Sequence, residues 1–476
     1  MKPSETSFGG NVMRLVSGTA AGQLLGILVM PILARLYAPS EFGIAATFAS
    51  ILGVLSIVAC GRYEQAIVLP KSEKEAVNVL GLSVGIALVT TIAITVTVFI
   101  LSQLGGSENE TGLRNYIWWI PLATLGVGLS TSLRYWNIRT KNFNDMSLAA
   151  VGASVSGNGV KLALAIGGQA TAGSLIVSQV VSQLISVIIL GWHTVRFQFR
   201  LIASGLSPTG IFTALKRYKD FPKYSLWAGV LSGLSWQAPV ILLGYFFSAT
   251  VVGYYALGFK IIQLPMSLIG QAVGSVFLQE ATIARERGAL VRLIEQTFVK
   301  LMTLSMYPML LLMVIGKDIS SVAFGEIWQE AGLYTQILSP WALVWFVSSP
   351  LSGLFGVLEK QKEGLKIQII IFSVRMVALI VGGVMQNAVV AIVMLSSGGV
   401  VVYGWLILKI LQCANVSVYK ICMLTWKHIV SITPYIIIVA LTKHLTVDAE
   451  ITLIVSIAVS LTYVYANKNK LLKVIK

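Results

Sequence analysis

Three cations stand inside long apolar stretches of this 476-residue sequence: Lys161, Lys260 and Arg375. A charge near the middle of a bilayer costs roughly 2.5–3.5 kcal/mol on an insertion scale, so such residues turn towards a polar interior or towards partners. Around Lys260, the residues Gln263, Ser267, Gln271 and Ser275 recur at spacings of three and four, which lays them along one helix face. Ser154, Asn158 and Lys161 repeat the pattern. Ammonium, guanidinium, amide and hydroxyl groups so arranged hold an anion and the hydroxyls around it. Lys260, Arg375, Lys161, Gln263, Ser267, Gln271 and Asn158 are therefore expected to line a water-filled central cavity. Arg14 and Arg35 flank the first apolar run and are candidates for its two mouths, although interfacial anchoring explains them equally well. For any one lone lysine, snorkelling to the membrane surface is the competing explanation.

The carboxylates argue in the same direction. All 19 acidic residues fall in expected loops or at helix ends, with Glu280 and Asp145 nearest to bilayer depth. A proton- or sodium-coupled carrier needs a buried Asp or Glu to bind its cation, and the pattern offers none. Cations without carboxylates suit an anionic ligand. No nucleophile–base pair is identifiable, and the three His residues sit at expected helix ends. Cys60, Cys413 and Cys422 lack metal-ligand spacing. No enzyme activity, cofactor or metal is expected.

The elements that must position these residues are apolar helices. Hydrophobic residues make up 56% of the chain and charged residues 11%, against roughly 25% charged in soluble domains. Mean hydropathy is +0.82. The chain is an all-α polytopic membrane protein, and the net charge of +16 belongs to cytoplasmic loops rather than to a nucleic-acid surface. Runs bounded by charge or turn clusters predict about fourteen transmembrane helices near 12–36, 42–61, 76–104, 115–133, 146–167, 172–192, 225–247, 251–278, 298–316, 333–358, 366–385, 388–411, 428–446 and 451–466. The first is too long for a cleaved signal and is expected to be retained. Residues 280–297, mixed in charge and amphipathic, read as a cytoplasmic surface helix.

Placing both termini in the cytoplasm puts 28 of the 35 basic residues in inner segments and four outside (Arg35, Arg114, Lys317 and Lys443), a strong positive-inside bias. A basic linker over 193–224 separates an N-terminal lobe (1–192) from a second lobe (225–411), with two further helices and a tail in 412–476. Leu36 to Ser50 aligns with Phe246 to Lys260 at an offset of 210, placing Gly43 on Gly253. The offset spans six helices, an even number, so both six-helix lobes insert the same way round, as in a parallel repeat about an axis along the membrane normal. Gly18, Gly22 and Gly26, spaced by four in the first helix, permit close helix packing.

Two motifs carry a family resemblance: the turn L-Y-x-P-x-x-F-G at Leu36–Gly43 and the exit R-Y-E-x-A-I-x-L-P-K at Arg62–Lys71. The segment resembles the N-terminal signature of bacterial polysaccharide transporters, the O-antigen type flippases of the multidrug/oligosaccharidyl-lipid/polysaccharide exporter superfamily. That resemblance implies two six-helix lobes related by a parallel pseudo-two-fold, with two additional helices. It implies an inner-membrane protein that moves a polyprenyl-diphosphate-linked sugar by alternating access, alongside polysaccharide assembly enzymes. A drug exporter of the same superfamily is the second reading, disfavoured by the missing midplane carboxylate. A membrane polymerase or ligase is the third, disfavoured because the longest outer connections, 105–114 and 317–332, hold one basic residue each and no His.

Overall fold

The computed structural model describes residues 8–103, 112–446 and 448–468, and among these all regular structure is helical. After α1 (Phe8–Leu36), Pro39 occupies the first turn of α2 (Pro39–Val58), where its missing N–H sacrifices no hydrogen bond. Gly61 and Arg62 both take left-handed backbone, φ 59° and 66°, and reverse the chain into a 3₁₀ turn over Tyr63–Val68. Then come α3 (Glu73–Gln103), α4 (Trp119–Arg139), α5 (Phe143–Ile166) and α6 (Ala172–Gly205). Ser207 caps α7 (Pro208–Arg217) by accepting the Gly210 N–H at 3.1 Å, and α8 (Leu226–Phe246) follows. Residues 193–224, read as a linker, thus continue α6 and build α7.

The chain continues through α9 (Ala249–Pro265), a π turn at Met266–Gly270, α10 (Gln271–Glu286), α11 (Leu290–Phe324) and α12 (Gln329–Leu351). A short α13 (Leu354–Val357) leads to α14 (Gln361–Val384), α15 (Ala388–Cys413), α16 (Val418–Leu445) and α17 (Ala449–Ala466). Twelve helices among the described residues are long and apolar enough to cross a membrane. Each of the fourteen expected runs is helical. Two fall outside the twelve: the 115–133 run is α4, diluted by Arg134, Asn137 and Arg139, and the 251–278 run is broken behind Pro265.

Three local expectations are corrected. Residues 280–297 are no separate surface helix: α10 ends, Gly288 turns at φ 68°, and α11 begins. The helix expected from 428 starts at Val418, because Ser417 accepts the Lys420 N–H and caps it there. The connection 317–332 is short, since α11 runs on to Phe324 and a 3₁₀ turn at Glu326–Trp328 leads directly into α12. The connection 105–114 lies largely outside the described residues.

The chain divides into two compact units, one running to Gly244 with Ser248–Thr250, the other holding Tyr245–Phe247 and everything from Val251. Within the first, α1 packs on α5, α2 on α4, α3 on α4, α4 on α6, and α5 on α6. Within the second, α11 packs on α12, α12 on α15, and α14 on α15, while Thr335 of α12 donates to the Gly258 carbonyl of α9 at 3.4 Å. Phe246 lies against Gly383 of α14. The starts of α2 and α9, and those of α4 and α12, are each 210 positions apart. The pairs α3–α4, α4–α6 and α5–α6 thus recur as α11–α12, α12–α15 and α14–α15, α8 falls mostly in the first unit, and α16 and α17 join the second unit against α11.

Candidate functional site

The turn after α1 is a fastening point in the first unit. Tyr37, 1% exposed, donates to the Lys161 carbonyl of α5 at 2.8 Å and bonds the Ser174 hydroxyl of α6 at 2.9 Å. Phe42 meets its ring edge-to-face, with centroids 5.9 Å apart. The Glu41 carboxylate accepts the N–H of Ala172, the first residue of α6, where a helix N-terminus favours negative charge. Asn158 donates to Ser154 at 3.3 Å, and Ser154 to the Gly22 carbonyl of α1 at 2.7 Å. Asn158 is buried and Lys161 half-buried on the same helix; Arg35 is exposed. The Arg14 side chain lies outside the described residues.

The exit after α2 is denser. Tyr63, Ala66 and Ile67 are buried in a cluster with Ala76, Leu80, Trp136 and the α7 residue Ala214. Tyr63 donates to the Leu215 carbonyl at 3.2 Å, Ser225 to Gln65 at 3.3 Å, and Arg139 to the Pro70 carbonyl at 2.7 Å. Within this apolar setting Glu64 is 4% exposed, its oxygen 3.9 Å from the Arg62 guanidinium. Glu64 Oε2, Arg62 Nε and Arg139 Nε have no hydrogen-bond partner among the described residues. Burial pushes the Glu64 carboxyl above the usual carboxylate range, against its backbone hydrogen bond and the Arg62 charge. The expectation that the chain offers no buried carboxylate is corrected here. Glu64 is in a loop yet buried, because the Tyr63–Val68 turn folds inward. Its apolar neighbours Tyr63, Ala66 and Ile67 were the available signal.

In the second unit, Lys260 and Gln263 are exposed on α9. Pro265 cannot donate within the helix, and the chain widens into the π turn behind it. Ser267 falls in that turn and donates to the Leu264 carbonyl at 3.0 Å, so the spacing read from Lys260 to Ser275 is interrupted midway. Gln271 begins α10; its side chain lies outside the described residues. Arg375 on α14 is 4% exposed. It donates to the Tyr403 hydroxyl of α15 at 2.9 Å, and its guanidinium lies 5.3 Å from the Trp341 ring of α12. Phe259, next in sequence to Lys260, stacks on Trp341, Trp345 and Tyr255 at 6.0, 6.3 and 5.8 Å. An aromatic stack thus joins the neighbour of Lys260 to the seat of Arg375. Sequence spacing linked Arg375 to no aromatic partner, since Trp341 and Tyr403 lie on other helices.

The comparisons with known proteins bear on this arrangement. The model of a family described as polysaccharide biosynthesis protein matches residues 32–332, which take in both motifs. The chain belongs to this family. No curated protein sequence matches significantly. Among solved structures, the lipid II flippase MurJ in an inward closed conformation is similar at a TM-score of 0.73 and 13% identity, over 96% of this chain and 99% of that one. An inward-facing multidrug resistance MATE family transporter of the MOP superfamily is similar at 0.61 and 15%, over 85% and 99%. A mutant of the Vibrio cholerae MATE transporter VcmN follows at 0.52 and 13%, over 85% and 95%. At such identities the likeness is one of fold. This family member is a multi-pass membrane protein of the MurJ and MATE fold.

Proposed function

We propose that the chain moves a polyprenyl-diphosphate-linked oligosaccharide across the inner membrane for O-antigen or related surface polysaccharide synthesis, with both termini cytoplasmic. The observation that carries this reading is a polysaccharide biosynthesis family match on a chain folded like a lipid-linked precursor flippase. The residues proposed to engage the anionic head group are Lys260, Arg375 and Lys161, with Gln263, Ser267, Gln271 and Asn158 meeting sugar hydroxyls. Each charge-assisted contact is worth roughly 1.5–3 kcal/mol, so neutralising Lys260 weakens engagement tenfold or more. The test is a deletion strain complemented with wild type, Lys260→Ala or the Lys260→Ala/Arg375→Ala pair at matched expression. Wild type restores surface polymer and clears lipid-linked repeat units from the inner leaflet; the variants do so poorly. Full polymer from the double variant would remove these cations from the substrate path. The MATE likeness favours a second reading, small-molecule export. It requires the deletion to raise drug sensitivity while leaving the polymer intact.

A further inference from the structure

An open cleft of about 860 Å³ lies in the second unit where α14 begins and α15 ends. Residues 359–363 form one wall, and Lys409, Gln412 and Cys413 the other. Five charged residues line it, and two of them are already engaged by cations from outside the lining. Arg285 pairs with Glu359 at 3.1 Å, and Lys366 with Glu363 at 3.1 Å. Among the described residues Lys360, Lys362 and Lys409 have no carboxylate at ion-pair distance. The cleft therefore faces its contents with three uncompensated positive charges.

Its walls are held in place. Glu359 takes left-handed backbone at φ 58°, the Lys360 N–H donates to the Phe355 carbonyl at 2.8 Å, and Lys409 rests over the Trp405 ring at 5.8 Å. Its depth is also defined, because α14 and α15 are both long and apolar enough to span a membrane and the cleft sits at their ends. Spans of that length would put the cleft at the level of lipid phosphates. Lysine ammoniums are compact, hydrated point charges that suit a phosphate without demanding a forked geometry, and basic residues at that level are drawn to an anionic surface.

We propose that this cleft binds the phosphate head group of a membrane lipid. Two sources share that chemistry: bulk anionic phospholipid, and a prenyl diphosphate, which is the substrate type under the function proposed above. Only the second source rests on that function.

The full chain carrying Cys422→Ser takes an environment-sensitive thiol dye at Cys413 in the cleft wall, Cys60 being buried. The labelled protein, in phosphatidylcholine nanodiscs, is titrated with phosphatidylglycerol in one arm and with farnesyl diphosphate in the other. A saturable emission shift in either arm, at least tenfold weaker in the Lys360→Gln/Lys362→Gln/Lys409→Gln variant, supports the site and names its source. The equally altered Lys71→Gln/Lys74→Gln/Lys219→Gln protein should respond as the parent does. Equal melting temperatures check that the variants fold. No shift in either arm overturns the proposal, as does a shift that survives in the first variant. A failed flippase assay alongside intact binding would count against the function and not against this site.

Discussion

At the scale of single residues, Glu64 is the group whose environment has the clearest consequence. Its carboxyl is raised by burial, so the folded chain binds its proton more tightly than the unfolded chain does. Between the ordinary carboxylate value, about 4.3, and the raised one, the folded state holds more protons, and stability falls as pH rises through that window. Glu64→Gln lacks this dependence. The melting temperature of wild type minus that of Glu64→Gln should therefore decrease as pH rises from about 4, where the ordinary carboxylate value lies. A flat difference would show that the carboxylate is hydrated in solution, and a rising one that the Arg62 charge outweighs burial. Arg375 supplies a second test. Arg375→Lys keeps the charge but loses the planar face over Trp341 and the reach to Tyr403. The loss should be about 1–3 kcal/mol from the ring contact and hydrogen bond together. Unchanged thermal unfolding in detergent would reduce the aromatic seat to mere proximity.

At the scale of elements, the glycines of α1 show how far sequence spacing carries. Their interval of four puts them on one face, and that face meets α5: a Cβ on Gly22 would lie 3.1 Å from the Ala150 carbonyl oxygen, whereas one on Gly26 finds nothing nearer than 4.0 Å. Gly22→Leu should overpack the α1–α5 contact by about 1–3 kcal/mol, and Gly26→Ala should stay within about 0.5 kcal/mol of wild type. Comparable melting of the two variants would mean that α1 does not hold α5 this closely. Hydrophobic length placed each expected helix, since apolar runs need no knowledge of their partners. It missed the π turn, because a proline constrains its own helix without saying whether the chain kinks or widens. It missed the early start of α16 because Lys420 and Lys427 looked like loop residues, while the Ser417 cap decides the boundary. The cations were legible as exceptional, but their neighbours were not. Trp341 and Tyr403 reach Arg375 only through the packing of α12, α14 and α15.

For the whole molecule, orientation is the open quantity that charge alone proposes. With the termini inside, Cys413 at the end of α15 and Cys422 in the first turns of α16 face the cytoplasm. In sealed right-side-out vesicles an impermeant maleimide should label neither. In inverted vesicles it should label exposed Cys422 faster than half-buried Cys413, and Cys60 in neither preparation. Labelling of Cys422 from the outer side would reverse the second unit. The repeated packing scheme makes a companion prediction. In an experimental structure, superposing the six-helix sets should lay α1 on α8 and α2 on α9, and any other pairing would make the 210-residue offset accidental.

The exit loop also sets a timetable. Tyr63 waits for Leu215, 152 positions downstream, and Gln65 for Ser225, 160 positions downstream. At about 5–20 residues per second of synthesis, that delay is roughly 8–30 s. Throughout it the most recognisable segment of the chain has left the ribosome without the α7 side of its cluster. A ribosome that pauses anywhere between α3 and α7 lengthens that exposure.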